Sequence, residues 1–194
     1  MVRKHSHFEN KEPFFEKFLC ELRFRKVIKY IPAKSKVLDL GCGYNGKLLR
    51  EIKDRIITGF GIDISVDPEH QDDKIFLIEH DLAYPLPFKD NEFDAVTSLA
   101  NLEHLYNPED TLKEVYRVLK PGGILLLTAP STYSKPVIEF LSFGLHLISE
   151  DEIKDHKQYA NRRILNEYCR IAGYSSWKQQ YFQFWMNNFL IAKK

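Results

Sequence analysis

Three kinds of residue in this chain are spaced as chemistry would need them: a cluster of glycines, aspartates placed at intervals around it, and histidines further on. The run Val37, Leu38, Asp39, Leu40, Gly41, Cys42, Gly43, Tyr44, Asn45, Gly46 passes from apolar residues into the glycines. Glycines let a backbone turn tightly and approach a ligand without a Cβ in the way. Seventeen residues beyond Gly46, Asp63 closes a second apolar run with Gly61 and Ile62. A carboxylate there can accept from ribose hydroxyls. A dinucleotide and an adenosyl cofactor fit these features equally well.

Asp39 separates the two. Two residues before Gly41, its carboxylate would repel a pyrophosphate seated at the glycine turn. S-adenosylmethionine instead carries a sulfonium and an amino group, both cationic, which a nearby carboxylate attracts by charge and hydrogen bonding. A turn-stabilising aspartate is the plainer account, but unpaired charge inside an apolar strand is costly.

The elements that must hold these residues follow from the apolar pattern. Short apolar stretches at Lys36 to Leu40, Ile57 to Ile62, Ile75 to Glu79, Ala95 to Ser98 and Ile124 to Thr128 alternate with helical stretches, the mark of a parallel sheet covered on both faces. Between the last two strands, Pro108 and Glu109 open a helix with Leu112, Val115 and Leu119 on one face, and Pro121, Gly122 and Gly123 close it. Ahead of the first strand, Phe14, Phe15, Phe18, Leu19, Leu22, Val27 and Ile28 recur at helical spacing behind Pro13, and Pro32 ends that helix. Residues 1–33 thus form an N-terminal helical cover. The apolar segment Tyr133 to Ile148 reads as a further cover within a 131–160 insertion. A helix from Arg163 to Ala172, ending at Gly173, and strands near Ser176 to Phe182 and Asn188 to Ala192 complete one domain over 1–194.

Composition narrows the class. The 194 residues are 44% hydrophobic, enough for one substantial core, and no apolar run reaches the length of a membrane span. The N-terminus lacks the apolar core of a signal peptide, so a soluble cytoplasmic protein is expected. Three widely spaced cysteines fit neither a disulfide framework nor a metal site, and no metal is expected. A net charge of +1 argues against a broad nucleic-acid-binding field. Basic residues do concentrate from Arg3 to Lys36, as a solvated helix face or a docking face for an anion.

With these residues in view, the chain resembles the class I S-adenosylmethionine-dependent methyltransferases from about Lys36 to Pro130. Val37 to Gly46 matches that family's glycine motif and Gly61, Ile62, Asp63 its ribose-binding acid; His80, Asp81, Leu82 resembles its adenine-binding motif. Phe93 to Val96 with Leu102 to Leu105 looks like its fourth strand and following loop, and Leu119 to Gly123 like the turn before strand five. The resemblance implies an α/β fold: a Rossmann-like, seven-stranded, mostly parallel sheet with an antiparallel last strand and helices on both faces. It implies S-adenosylmethionine as cofactor, S-adenosylhomocysteine as product, and contacts from Asp39, Gly41, Cys42, Gly43, Asp63, Ile64, Asp81, Leu82, Leu99 and Ala100. Asp94 is structural in such proteins.

Methyl transfer from a sulfonium is an in-line displacement, so the protein mainly orients the acceptor, which is worth roughly 7 to 11 kcal/mol in favourable cases. A hydroxyl acceptor gains from a general base. His104, in the loop after strand four, is one candidate, against a structural hydrogen-bonding role at a helix start. His156, with Tyr159, is the second candidate and resembles a pattern in glycan- and quinone-pathway methyltransferases; both are expected to line the acceptor pocket. His146 is expected to be packed in the apolar cover, and His5 and His7 to lie in a tail. The expected acceptor is a small molecule or a glycan or lipid-linked intermediate, handled by a monomer or homodimer. Ala100, Asn101, Leu102, Glu103 stands where amino-group methyltransferases of nucleic acids carry an Asn-Pro-Pro-Tyr type loop, which argues against that substrate. A methyltransferase-like subunit that binds without catalysing, and an NAD-dependent oxidoreductase, are the alternatives.

Overall fold

Strand-forming residues with bulky branched side chains on both faces build the centre of the molecule. The computed structural model describes residues 14–139, 157 and 159–194. Its strands are β1 (Lys36–Leu40), β2 (Thr58–Asp63), β3 (Ile75–Glu79), β4 (Phe93–Leu99), β5 (Leu119–Pro130), β6 (Ser176–Phe182) and β7 (Asn187–Lys193). They form one sheet in the order β3-β2-β1-β4-β5-β7-β6. The first five are parallel neighbours, whereas β7 runs antiparallel between β5 and β6.

Successive side chains of a strand leave on opposite faces, and each face here has its own core. Leu38, Leu40, Val96, Leu125 and Leu127 meet Leu112 and Val115 of α3 (Pro108–Val118) on one side. Leu165 and Cys169 of α5 (Arg162–Ala172) complete that layer. Val37, Ala95, Leu126 and Phe189 meet Phe24 and Val27 of α1 (Phe14–Ile28) and Leu48, Leu49 and Ile52 of α2 (Lys47–Ile52) on the other. Burying each such side chain contributes about 1.5 to 3 kcal/mol, so the sheet is held from both faces.

The expected elements are present with several shifted limits. β1 and β3 have the expected bounds, whereas β2 begins at Thr58, since Ile57 points into solvent with 62% of its surface exposed. α1 stops at Ile28, four residues before Pro32. A residue preceding proline is pushed out of the helical region, and the Arg55 guanidinium caps the carbonyls of Ile28 and Ile31. Leu119 is not on the α3 face. It is extended (φ −69°, ψ 137°) and opens β5, pairing with Phe93. Pro121, Gly122 and Gly123 then lie inside β5 as an irregularity between the Phe93–Leu119 and Ala95–Ile124 pairs, so they bend a strand rather than close a helix. α5 starts one residue early, and Asn161 caps it by accepting from the Ile164 N–H. Of the expected cover at 133–148, only its start is described: a turn and the short α4 (Lys135–Glu139). His5, His7 and His146 lie outside the described residues.

The β6–β7 turn is unusual. Gln183, Phe184 and Trp185 are consecutive non-glycine residues with φ of 50°, 56° and 69°. Each costs of order 1 to 3 kcal/mol. The Gln183 side-chain amide donates to the Leu19 carbonyl of α1 at 2.9 Å and accepts from Asn187 at 2.5 Å. From the end of β5, the Ser131 hydroxyl donates to the Trp185 carbonyl at 2.6 Å, and these ties hold the turn in place. Among the described residues, no helix is long and apolar enough to cross a membrane.

Candidate cofactor and acceptor site

The parallel order places the carboxyl ends of β3, β2, β1 and β4 side by side, and the expected cofactor residues fall at those four ends. After β1, the N–H groups of Gly41 and Cys42 both donate to the Ile62 carbonyl, at 2.9 and 3.2 Å, which folds the glycine turn over the end of β2. Gly41 has φ +69°, and a Cβ there would stand 2.6 Å from Cγ of Asn101, so only glycine lets the turn pass beneath the loop after β4. Gly43, also left-handed at +71°, is different: a Cβ there meets nothing within 4 Å. The backbone at Gly43 borders open space, which suits close approach of a ligand.

Three carboxylates line this edge. Asp63 accepts from the Gly43 N–H at 2.9 Å and from the Ile64 N–H at 2.8 Å, so the β2 acid is fixed to the glycine turn before any cofactor enters. Asp81 accepts from the Ala83 N–H at 2.9 Å in a turn that presents it at the surface after β3, with Leu82 half-buried beside it. Asp39 is the deepest, 3% exposed, and the Thr97 hydroxyl donates to it at 2.5 Å across the β1–β4 pairing. Burial pushes its carboxyl up to about 7, with Thr97 opposing and Asp63 adding to the rise. A carboxyl balanced in this way is ready to ionise when a cation arrives. The Cys42 thiol is buried and pushed far up by burial and then by Asp39 and Asp63, which makes it an inert packing group and not a nucleophile.

Beyond β4, Leu99 is half-buried and Ala100 turns left-handed at φ +50°, its N–H donating to the carbonyl and hydroxyl of Thr128 at 3.0 and 3.2 Å. His104 ends a single 3-10 turn (Leu102–His104), where its N–H donates to the Asn101 carbonyl. Its own carbonyl accepts from the Lys157 ammonium, and the Lys157 N–H donates to the Glu103 carbonyl at 2.8 Å. These bonds lay the segment leading to the half-buried Tyr159 along the loop that carries His104. His156 lies outside the described residues. Asp94 is at the other end of the sheet, accepting from the Lys36 N–H and paired with Lys120 at 2.6 Å, and is a structural residue.

Thr97, Asn101 and Thr128 were not singled out from the sequence. Thr97 meets Asp39 only through the register of β1 with β4, which the sequence does not announce. The other two act through contacts that no spacing announces. A groove of about 660 Å³, lined by Arg162, Arg163, Asn166, Glu167, Arg170 and Trp177, runs between α5 and β6 and is separate from this edge.

These residues fit a cationic adenosyl cofactor. Asp39 offers a buried carboxylate to the sulfonium or amino group, Asp63 and Asp81 offer acceptors to ribose and adenine donors, and Gly43 leaves room. A pyrophosphate would meet three acids.

A methyltransferase-domain family model matches residues 38–127. The ubiquinone/menaquinone biosynthesis C-methyltransferase UbiE of Klebsiella pneumoniae is 48% identical over 97 residues, covering 46% of this chain and 36% of that protein. The ubiquinone biosynthesis O-methyltransferase of Pseudomonas entomophila is 30% identical over 162 residues, 73% of this chain and 65% of that protein. The chain thus spans between about a third and two thirds of the length of these curated relatives. A SAM-dependent methyltransferase structure from Archaeoglobus fulgidus, 20% identical, covers 92% of this chain and 94% of its own with a TM-score of 0.71, which shows the shared fold. The matched region runs from β1 into β5 and takes in the whole glycine turn with its three acids, so residues 38–127 are a methyltransferase domain, on the fold of the class I S-adenosylmethionine-dependent methyltransferases.

Proposed function

We propose that this chain transfers the methyl group of S-adenosylmethionine to a small apolar or lipid-linked acceptor held over the ends of β4 and β5. The observation that carries this reading is the buried Asp39 carboxylate beneath the glycine turn, held by Thr97. The family supplies the cofactor, whose sulfonium provides the methyl and the leaving group. In the transfer, the bond from methyl to sulfur breaks as the bond to the acceptor forms, S-adenosylhomocysteine leaves, and the acceptor's proton passes to a base or to water.

The chain's own residues bind and orient. Asp39 holds the cationic end of the cofactor, Asp63 the ribose and Asp81 the adenine. His104 stands nearest in sequence to the acceptor side and is the proposed base for a hydroxyl acceptor, with Tyr159 lining the pocket. The quinone-pathway relatives support an acceptor that is apolar and ring-bearing, and the apolar composition of 133–148 agrees with them.

Calorimetry tests the cofactor half. Wild-type protein should bind S-adenosylmethionine and S-adenosylhomocysteine but not NAD, and Asp63→Ala should weaken the adenosyl ligands about ten- to a hundredfold, the cost of a charge-assisted hydrogen bond. Binding of NAD instead would overturn the reading. Cofactor binding without turnover on quinone, phenol and lipid-linked sugar acceptors would favour a subunit that binds but does not catalyse.

A further inference from the structure

Exposed apolar rings gather at one corner of the molecule. Phe184, at the tip of the β6–β7 turn, is 93% exposed, and Trp185 and Tyr133 are 63% and 61% exposed. Trp185 stacks on Tyr181, with centroids 5.3 Å apart and planes within 9°, and Tyr133 meets both edge-on at 5.8 and 6.3 Å. The rings therefore support one another while their outer faces stay in water. On the opposite side of the tip, the bond from Gln183 to the Leu19 carbonyl brings up the turn of α1 that carries the exposed Phe18.

The two segments that carry these rings have charges of one sign. No carboxylate occurs from 129 to 138 or from 176 to 192, whereas Lys135 and Lys178 are exposed within those stretches. α1 adds Lys17, Arg23, Arg25 and Lys26 against Glu16 and Glu21. The tip is the β6–β7 turn at the edge of the sheet, and Phe184 in it projects almost wholly into solvent. A protein partner would need a matching hole for such a side chain, while a lipid headgroup layer closes around it. Trp and Tyr, apolar in body with a polar edge, suit that layer, and lysines around them suit anionic headgroups.

We propose that the β6–β7 tip, with Tyr133 and Lys135 on one side and Lys17 and Phe18 on the other, is a surface that seats reversibly on an anionic lipid bilayer. It lies at the carboxyl end of β5, where Pro130 pairs with Asn187, so seating would turn the acceptor end of the sheet toward the membrane. The proposal stands whichever acceptor is methylated.

Co-sedimentation with vesicles tests it, using phosphatidylcholine alone and phosphatidylcholine mixed with phosphatidylglycerol. The protein is expected to sediment with the mixed vesicles, less with neutral ones, and less at high salt. Phe184→Asp and the pair Lys17→Glu, Lys135→Glu should each weaken binding at least about tenfold. Affinity for S-adenosylhomocysteine, measured in parallel, should stay the same, because none of these side chains is in the cofactor edge. Failure of the wild type to sediment with anionic vesicles would overturn the proposal, as would binding that Phe184→Asp leaves intact. A dimer in analytical ultracentrifugation that Phe184→Asp dissociates, without vesicle binding, would assign the face to a second copy of this chain instead.

Discussion

The two ends of the sheet's carboxyl edge are built on opposite terms. At β1, β2 and β4 the backbone is closed on itself: N–H groups of the glycine turn are bonded to Ile62 and Asp63, and a carboxylate is buried under it. At β5, β7 and β6 the polar backbone is tied up by Ser131 and Gln183, but the side chains turn outward as exposed rings. The first end is preorganised for one ligand of fixed shape, so tight packing is useful there. The second presents adaptable apolar surface, which suits acceptors or surfaces that vary.

The contrast is tested most severely at the two glycines of the turn. Gly41→Ala should cost about 3 kcal/mol or more of stability, from the collision with Asn101 plus the left-handed backbone, and should abolish cofactor binding. Gly43→Ala meets open space and should cost only about 1 kcal/mol, yet still weaken S-adenosylhomocysteine strongly, because the space it fills is the ligand's. Urea denaturation beside calorimetry separates the two. Equal stability losses would show that Gly43 serves the fold and not the ligand.

Thr97→Val should follow, costing roughly 1.5 to 3 kcal/mol by removing the donor to a buried carboxylate. Thr97→Ser should restore most of the affinity for S-adenosylmethionine; a serine variant as weak as the valine would mean that Thr97 acts by packing alone.

The pH dependence of Asp39 is a smaller effect with a definite sign. Its folded value near 7 lies above the ordinary 3.8, so the folded state holds an extra proton between those limits. Stability of the cofactor-free protein therefore falls as pH rises through that window, and Asp39→Asn should flatten the slope. A cationic cofactor favours the ionised form, so binding below pH 7 should release a proton, read from calorimetry in buffers of different ionisation enthalpy. No proton release at pH 6 would place the cation elsewhere.

The smallest effect concerns the other end. Phe184→Gly should change stability by no more than about 1 kcal/mol and in the favourable direction, because the exposed ring contributes little packing while glycine relieves φ of 56°. A clear loss of thermal stability would mean that the ring is packed in solution.

Much of the fold was legible because its signals are local. Apolar runs of strand length alternating with helical periodicity define β1 to β5 and their helices, and the glycine turn with Asp39 and Asp63 is a contiguous pattern tied to strand ends. Leu119 and Pro121 to Gly123 were misplaced for the same reason. Locally they look like a helix end, and only pairing with β4 draws them into β5.

The sequence by itself determined most element types, the glycine turn and the placement of Asp39, Asp63 and Asp81 at strand ends, since each depends on side chains a few residues apart. Tertiary structure alone decided that Thr97 meets Asp39, that Asn101 stands where a side chain at Gly41 would go, and that Tyr133 joins Tyr181 and Trp185 in one cluster from two separate segments. Strand order and register bring such residues together across tens of positions, and no local propensity encodes a distance of that kind.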